Sequence, residues 1–362
     1  MKTRPFASLV FVLAAVSCIP LPAAVRAPLE IWTVFPPGVD RLDDGRSPPD
    51  TALKGPVPGC STIVDKWVGL DSVTLKPALL APLAARPLVT ERTYCGATTA
   101  TTTATTTATT TAEASLPWRT AVITTFQGAR YRPETIRALG ESHDALSRTA
   151  AVIARLATDD QTQGVLLDFQ EMSGDDLPTL MDVSRAIADS VHAISPAVVG
   201  IIVPGADSAG YPGRTLARVA DVLLVRIFPE HGPANPPGPI VSPQWFVRRL
   251  GARAGEVGVN RVVAGVPADG VLWSARGPGR TVSYAEALRL AEGAGVPVLR
   301  DPASGNLHAV SPRDGWELWV SDHELVTRLI AEGRRIGVTR FAVFGLVGAD
   351  PKLWESLPQL VR

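Results

Sequence analysis

Eight short apolar runs recur along the chain, and they set its architecture. They are Leu29–Phe35, Ser61–Val68, Thr120–Phe126, Gly164–Phe169, Val198–Val203, Asp221–Ile227, Arg261–Val266 and Arg340–Gly345. Most are rich in β-branched residues, and their length and chemistry suit strands covered on both faces. Between most of them apolar residues recur at three- and four-residue spacing. This predicts helices over Pro133–Leu156, Leu177–Ile194, Pro243–Ala254 and Asp322–Ile336. Strands alternating with helices imply an α/β protein with a parallel sheet, and eight such units imply a closed (β/α)8 TIM barrel. The stretch between strands seven and eight is longer than one helix needs. Thr281–Gly295 reads as a helix opened by Ser283, and Val296–Val320 as a hairpin turning at Asp314-Gly315. A small α+β insertion over 281–320 is therefore predicted.

The segments outside this pattern read differently. Residues 28–58 are rich in Pro and Gly and suggest long loops around one short strand. Residues 97–112 form an Ala/Thr tract with neither charge nor hydrophobic period. Such a tract cannot bury enough surface to offset its ordering entropy, so a disordered loop is predicted. At the N-terminus, Lys2 and Arg4 precede the apolar run Phe6–Ser17, which is too short to span a bilayer as a mature helix. Small residues follow and end in Val25-Arg26-Ala27. This is the pattern of an export signal over 1–27, with 28–362 as the mature periplasmic or extracellular protein. Ala15-Val16-Ser17-Cys18 loosely matches a lipoprotein box, so a lipid anchor at Cys18 stays open. In an exported protein, Cys60 and Cys95 are expected to pair, with two free thiols as the alternative. The bridge would close a loop of about 35 residues and contribute roughly 3–4 kcal/mol on the chain-entropy model.

Composition narrows the choice of partner. The 362 residues are 46% hydrophobic, enough for one large core, and the formal net charge is zero. Zero net charge gives no electrostatic case for nucleic acid or for an anionic membrane surface. The five His residues are scattered without close ligand spacing, so no metal and no cofactor are expected.

The chemistry concentrates at Gly164-Val165-Leu166-Leu167-Asp168-Phe169-Gln170-Glu171. A buried run ends there in polar groups, which is where an α/β barrel carries its active site. The segment resembles the D-G-x-D-x-D-x-E signature of glycoside hydrolase family 18, the chitinase-like enzymes. Further pieces resemble the family in the same order. Thr124-Thr125-Phe126-Gln127-Gly128 is similar to its third-strand end. Glu230-His231, Pro236-Pro237-Gly238-Pro239-Ile240 and Pro243-Gln244-Trp245-Phe246 are similar to its sixth-strand loop. Val262 to Trp273 resembles its seventh strand. Ser283-Tyr284-Ala285-Glu286-Ala287, Glu317 to Asp322 and Asp350-Pro351-Lys352-Leu353-Trp354 resemble the spore-cortex and chitinase-like branch.

The resemblance implies substrate-assisted hydrolysis of amino-sugar polymers. A Glu protonates the leaving oxygen, an Asp two residues earlier orients the acetamido group, and a Tyr after strand six holds the acetamido oxygen. Mapped onto this chain, Asp168 keeps the orienting position and Gln170 occupies the acid position. Phe228 replaces the Tyr, Pro229 the Asp that follows it, and Phe344 the late-strand Trp. The two earlier Asp positions fall on Gln163 and Leu166. An amide has no proton of useful acidity, and loss of an acid typically costs ~10²–10⁴ in rate. Glu171 could replace it only if a bulge turned it inward, because adjacent strand residues face opposite sides. The bland alternative is a solvated loop residue. Glu230 and His231 form a second candidate pair, with loop packing as the alternative for His231.

Asp65, Trp67, Gln127, Asp207, Asp269 and Trp273 complete the predicted rim. Trp67 and Trp273 suit stacking on a sugar ring or, equally, packing in the scaffold. Three readings follow: a binding protein for N-acetylglucosamine-type glycans with weak or no hydrolysis, an active glycosidase using Glu171 or Glu230, or a secreted interaction module with a vestigial pocket.

Overall fold

The computed structural model describes residues 29–34, 60–80, 118–127, 130–158, 162, 164–275 and 277–361. The expected export signal, Cys18, the Ala/Thr tract, Cys95 and the Cys60 side chain lie outside these residues. All eight apolar runs form strands: Glu30–Val34, Cys60–Leu70, Trp118–Thr124, Gly164–Asp168, Val198–Pro204, Val222–Arg226, Val262–Pro267 and Arg340–Phe344. Each pairs in parallel with the next, and the first pairs with both the second and the eighth. That last pairing closes the sheet into the predicted eight-stranded barrel. A short strand, Pro77–Leu79, is added antiparallel on the second.

Two apolar layers follow from the period-two rule. Alternate residues point into the lumen, where Trp32, Val34, Val64, Val122, Leu166, Ile202, Leu224, Val263 and Ala342 pack together. The intervening residues, such as Ile123, Val165, Leu167, Ile201, Leu223 and Val343, pack outward beneath the helices. Leu166 lies in the lumen, so the same period aims Asp168 inward at the end of the fourth strand.

The first of the expected helices is broken. Pro133–Leu156 is two helices, Pro133–Glu141 and His143–Leu156. Ser142 between them is extended, and its side chain accepts a hydrogen bond from Ala145 N at 3.3 Å, capping the second helix. The apolar periodicity runs through this break because both helices pack on Leu177–His192. The other helices, Pro243–Val257 and His323–Ile336, are capped by Ser242 and Asp322. Among the described residues, no helix is long and apolar enough to cross a membrane.

The insertion is larger than the predicted 281–320, because it begins at Asp269. Strands Asp269–Ser274 and Gly277–Ser283 precede the helix Tyr284–Ala294, and Leu299–Arg300, Leu307–Ser311 and Trp316–Val320 follow it. They form one five-stranded antiparallel sheet with Asp269–Ser274 paired to Trp316–Val320. Ser283 caps the helix as expected, accepting from Glu286 N at 3.2 Å.

A buried Arg253 fixes the loop after the fifth strand. Its guanidinium donates to the carbonyls of Tyr211 (2.7 Å), Pro204 (2.8 Å) and Asp207, and pairs with Glu256 at 3.1 Å. Removing it would strand several buried acceptors at once. Arg253→Met should therefore lower the unfolding free energy by about 3 kcal/mol in chemical denaturation. A loss below about 0.5 kcal/mol would mean that other contacts hold this loop.

Candidate functional site at the barrel mouth

Asp168 sits in the mouth, 2% exposed, with donors on three sides. One carboxylate oxygen accepts from Thr124 Oγ1 at 3.1 Å and from Tyr131 OH at 3.0 Å. The other accepts from Gln170 Nε2 at 3.0 Å. Thr124 is the register partner of Asp168 on the neighbouring strand, so that contact follows from sheet pairing. Gln170 is 4% exposed, and its amide nitrogen also donates to the Ile202 carbonyl at 2.8 Å. The Gln170 amide is therefore fixed as a donor to Asp168. Burial pushes the Asp168 carboxyl up, against the pull of the Arg226 charge and of these three hydrogen bonds.

Phe228 and Phe344 meet edge to face, with ring centroids 5.2 Å apart. Phe344 also packs on the lumen cluster, so this aromatic pair closes one side of the mouth. Asp269 stands at the first position of the insertion, beside Gly345. Gly345 has φ +75, and a Cβ there would come within 2.6 Å of the Asp269 side chain. Burial pushes the Asp269 carboxyl up to about 7.

Two residues at the mouth were missed in the sequence. Arg226 ends the sixth strand, and Nη1 donates to Tyr131 OH at 3.4 Å. It follows Leu224 by two residues, so a lumen-facing charge was readable from strand period alone. Tyr131 lies on a two-residue strand, Arg130–Tyr131, paired with Phe126–Gln127. Nothing in the local pattern marks it.

Several predicted rim residues serve the scaffold instead. Trp273 is 6% exposed, and Nε1 donates to the Asn235 carbonyl at 2.9 Å, tying the sixth-strand loop to the insertion. It offers little face to a sugar. One oxygen of Asp207 accepts from Ala209 N and Gly210 N, each at 3.0 Å, in a local turn. Glu230 accepts from Ser242 N at 2.7 Å and closes the neck of the sixth-strand loop. His231 Nδ1 lies 3.2 Å from the Pro236 carbonyl within that loop. Gln127 donates to the Leu70 carbonyl. Trp67 packs against the lumen cluster. Glu171 is exposed with φ +62, and among the described residues its carboxylate makes no hydrogen bond or ion pair. The Asp65 side chain and Gln163 lie outside the described residues.

Two other features do not include the residues around Asp168. A cleft of about 680 Å³ runs between the sixth-strand loop and the insertion tip, lined by Pro236, Pro237, Trp273, Val310, Trp316 and Glu317. None of Asp168, Gln170, Arg226 or Asp269 lines it. Asp322, His323 and Asp350 bring donor atoms within 4.8 Å of one another. Their atoms are already engaged: Arg300 pairs with Asp322 at 2.6 Å, and His323 Nδ1 lies 2.6 Å from Asp350 Oδ2.

No family profile and no curated sequence matches the chain. Solved structures do match. A Chromobacterium violaceum chitinase superposes with TM-score 0.69 at 16% identity, over 92% of this chain and 99% of that one. A class V chitinase of Pseudomonas fluorescens gives 0.68 at 15% identity, over 93% and 100%. The Bacillus cereus spore cortex-lytic enzyme SleL gives 0.66 at 12% identity, over 93% and 75%. The chain thus has the fold of the chitinase-like barrels, as its resemblance to glycoside hydrolase family 18 implies.

The raised Asp269 carboxyl carries a stability consequence. Its unfolded value is about 3.9, below the folded value of about 7. Between the two, the native state binds more protons, so stability falls as pH rises from about 4 to 7. Urea unfolding across that window should show this decline, and Asp269→Asn should flatten part of it. Identical slopes in the two proteins would place the Asp269 carboxyl in water.

Proposed function

We propose that the barrel mouth binds an amino-sugar glycan of the N-acetylglucosamine type and cleaves it slowly or not at all. One observation carries this reading: the acid position is Gln170, whose amide nitrogen is held by Asp168 and the Ile202 carbonyl. An amide has no proton of useful acidity, and both N–H donors of this one are already taken, so it cannot protonate a glycosidic oxygen. Phe228 brings no hydroxyl to the position where the resemblance places a Tyr. The Phe228–Phe344 pair and the polar groups of Asp168, Tyr131 and Arg226 combine an apolar wall with hydrogen-bonding edges, the mixture that suits a sugar ring. A plant class V chitinase from Nicotiana tobaccum, at 13% identity and TM-score 0.64, has been crystallised with NAG4. That supports the choice of ligand class here. The N-terminal pattern supports export to the periplasm or the exterior, with or without a lipid at Cys18.

The test is a gain of function. Wild-type protein should hydrolyse a chromogenic N-acetylglucosamine oligomer near background, and Gln170→Glu should raise the rate at least ~10-fold. Adding Phe228→Tyr should raise it further and non-additively, because both groups act on one transition state. Brisk wild-type turnover would contradict the proposal. If Asp269→Asn then abolished that turnover, the acid would be Asp269 and the protein a hydrolase.

A further inference from the structure

Arg226 is a cation in the mouth with more donors than partners. A guanidinium carries five N–H donors. Among the described residues, those of Arg226 make one long hydrogen bond, 3.4 Å to Tyr131 OH, and no ion pair. The strands on either side give it no partner. Its register partner on the fifth strand is Pro204 and on the seventh is Gly265. Neither supplies an acceptor side chain. The Asp168 carboxylate is linked to it through Tyr131 OH, which lies 3.0 Å from Asp168 and 3.4 Å from Arg226, and its oxygens are already met by Thr124, Tyr131 and Gln170.

From this arrangement we infer that Arg226 binds a carboxylate on the glycan, so that the mouth prefers an acidic amino-sugar chain over a neutral one. This rests on the proposed glycan-binding function and adds the charge of its ligand. The chemistry fits a carboxylate better than a phosphate. The planar fork of a guanidinium matches a carboxylate with two parallel hydrogen bonds. The mouth already holds the Asp168 acid, so a singly charged group is repelled less than a doubly charged one. The charged and titratable groups that act on Arg226 are Tyr131, Asp168, Tyr211 and Asp269. Of these, both Tyr hydroxyls are pushed up by burial, and Asp269 titrates at about 7. Toward acid pH the guanidinium therefore faces fewer competing anions. A sugar carboxylate can come from a uronic acid ring or from a lactyl ether on an amino sugar, and both present the same fork to Arg226.

The full mature chain can be titrated calorimetrically with three tetrasaccharides at low salt. One is the neutral N-acetylglucosamine tetramer, one alternates it with glucuronic acid, and one alternates it with N-acetylmuramic acid. At least one acidic probe should bind ~10-fold more tightly than the neutral one, and which one does so identifies the carboxylate source. That ratio should shrink as salt is added and fall to about one in Arg226→Met. In Arg226→Lys, a point charge without the fork, it should fall at least threefold. Acidic probes binding no tighter than the neutral one in the wild type would overturn the inference, whatever the variants do. So would a preference that survives in both variants. Neutral binding without acidic preference would sink this inference alone. Loss of all three would sink the glycan-binding function with it.

Discussion

A carboxylate held out of water must have its oxygens met by donors, and Asp168 is where this constraint shapes the site. The strand period turns Asp168 into the lumen behind Leu166, and the chain answers with three donors from three places. Thr124 comes from the neighbouring strand, Tyr131 from a short hairpin, and Gln170 from two residues further on. Each donor is thereby committed. Gln170 cannot be an acid and is occupied as a donor. Tyr131 is oriented between Asp168 and Arg226. Arg226 joins this shell through one long hydrogen bond to Tyr131 and keeps its other donors for something else.

The frame around this cluster explains why its geometry can be specific. Arg253 ties the fifth-strand loop to the helix Pro243–Val257, and Tyr211 OH donates to the Phe169 carbonyl at 2.7 Å just after the fourth strand. Glu230 and Trp273 hold the sixth-strand loop against itself and against the insertion. The polar groups of these loops are thus spent on loop carbonyls and amides. What remains for a ligand is the mouth itself, with an aromatic pair on one side and Arg226 within it.

The barrel was legible in the sequence because its strands combine apolar runs with a strict period, and register then fixes which residues share a face. The same period put Asp168 and Gln170 on one face, and their side chains meet at 3.0 Å. It failed where tertiary partners decide the outcome. Ser142 breaks a helix whose apolar spacing runs on undisturbed, since both halves pack on one neighbour. Asp269–Ser274 read as the tail of the seventh strand because its antiparallel partner, Trp316–Val320, lies over forty residues away. Trp273 suited stacking or scaffold packing equally, and burial with its Nε1 bond to the Asn235 carbonyl selects the scaffold role. Arg226 was visible in principle, as a charge in phase with lumen residues, whereas Tyr131 sits on a pair of two-residue strands that no local pattern marks.

The central claim is that this mouth holds a glycan without supplying an acid to cleave it. The most direct measurement recovers the ligand after a binding experiment. Wild-type protein at high concentration is incubated with a defined N-acetylglucosamine-containing tetramer until binding is saturated by calorimetry, and the sugar is then analysed by mass spectrometry. The account predicts that the tetramer is bound and returned intact. Recovery of shorter fragments at a rate set by the protein would contradict it, and so would saturating concentrations at which no heat of binding is seen.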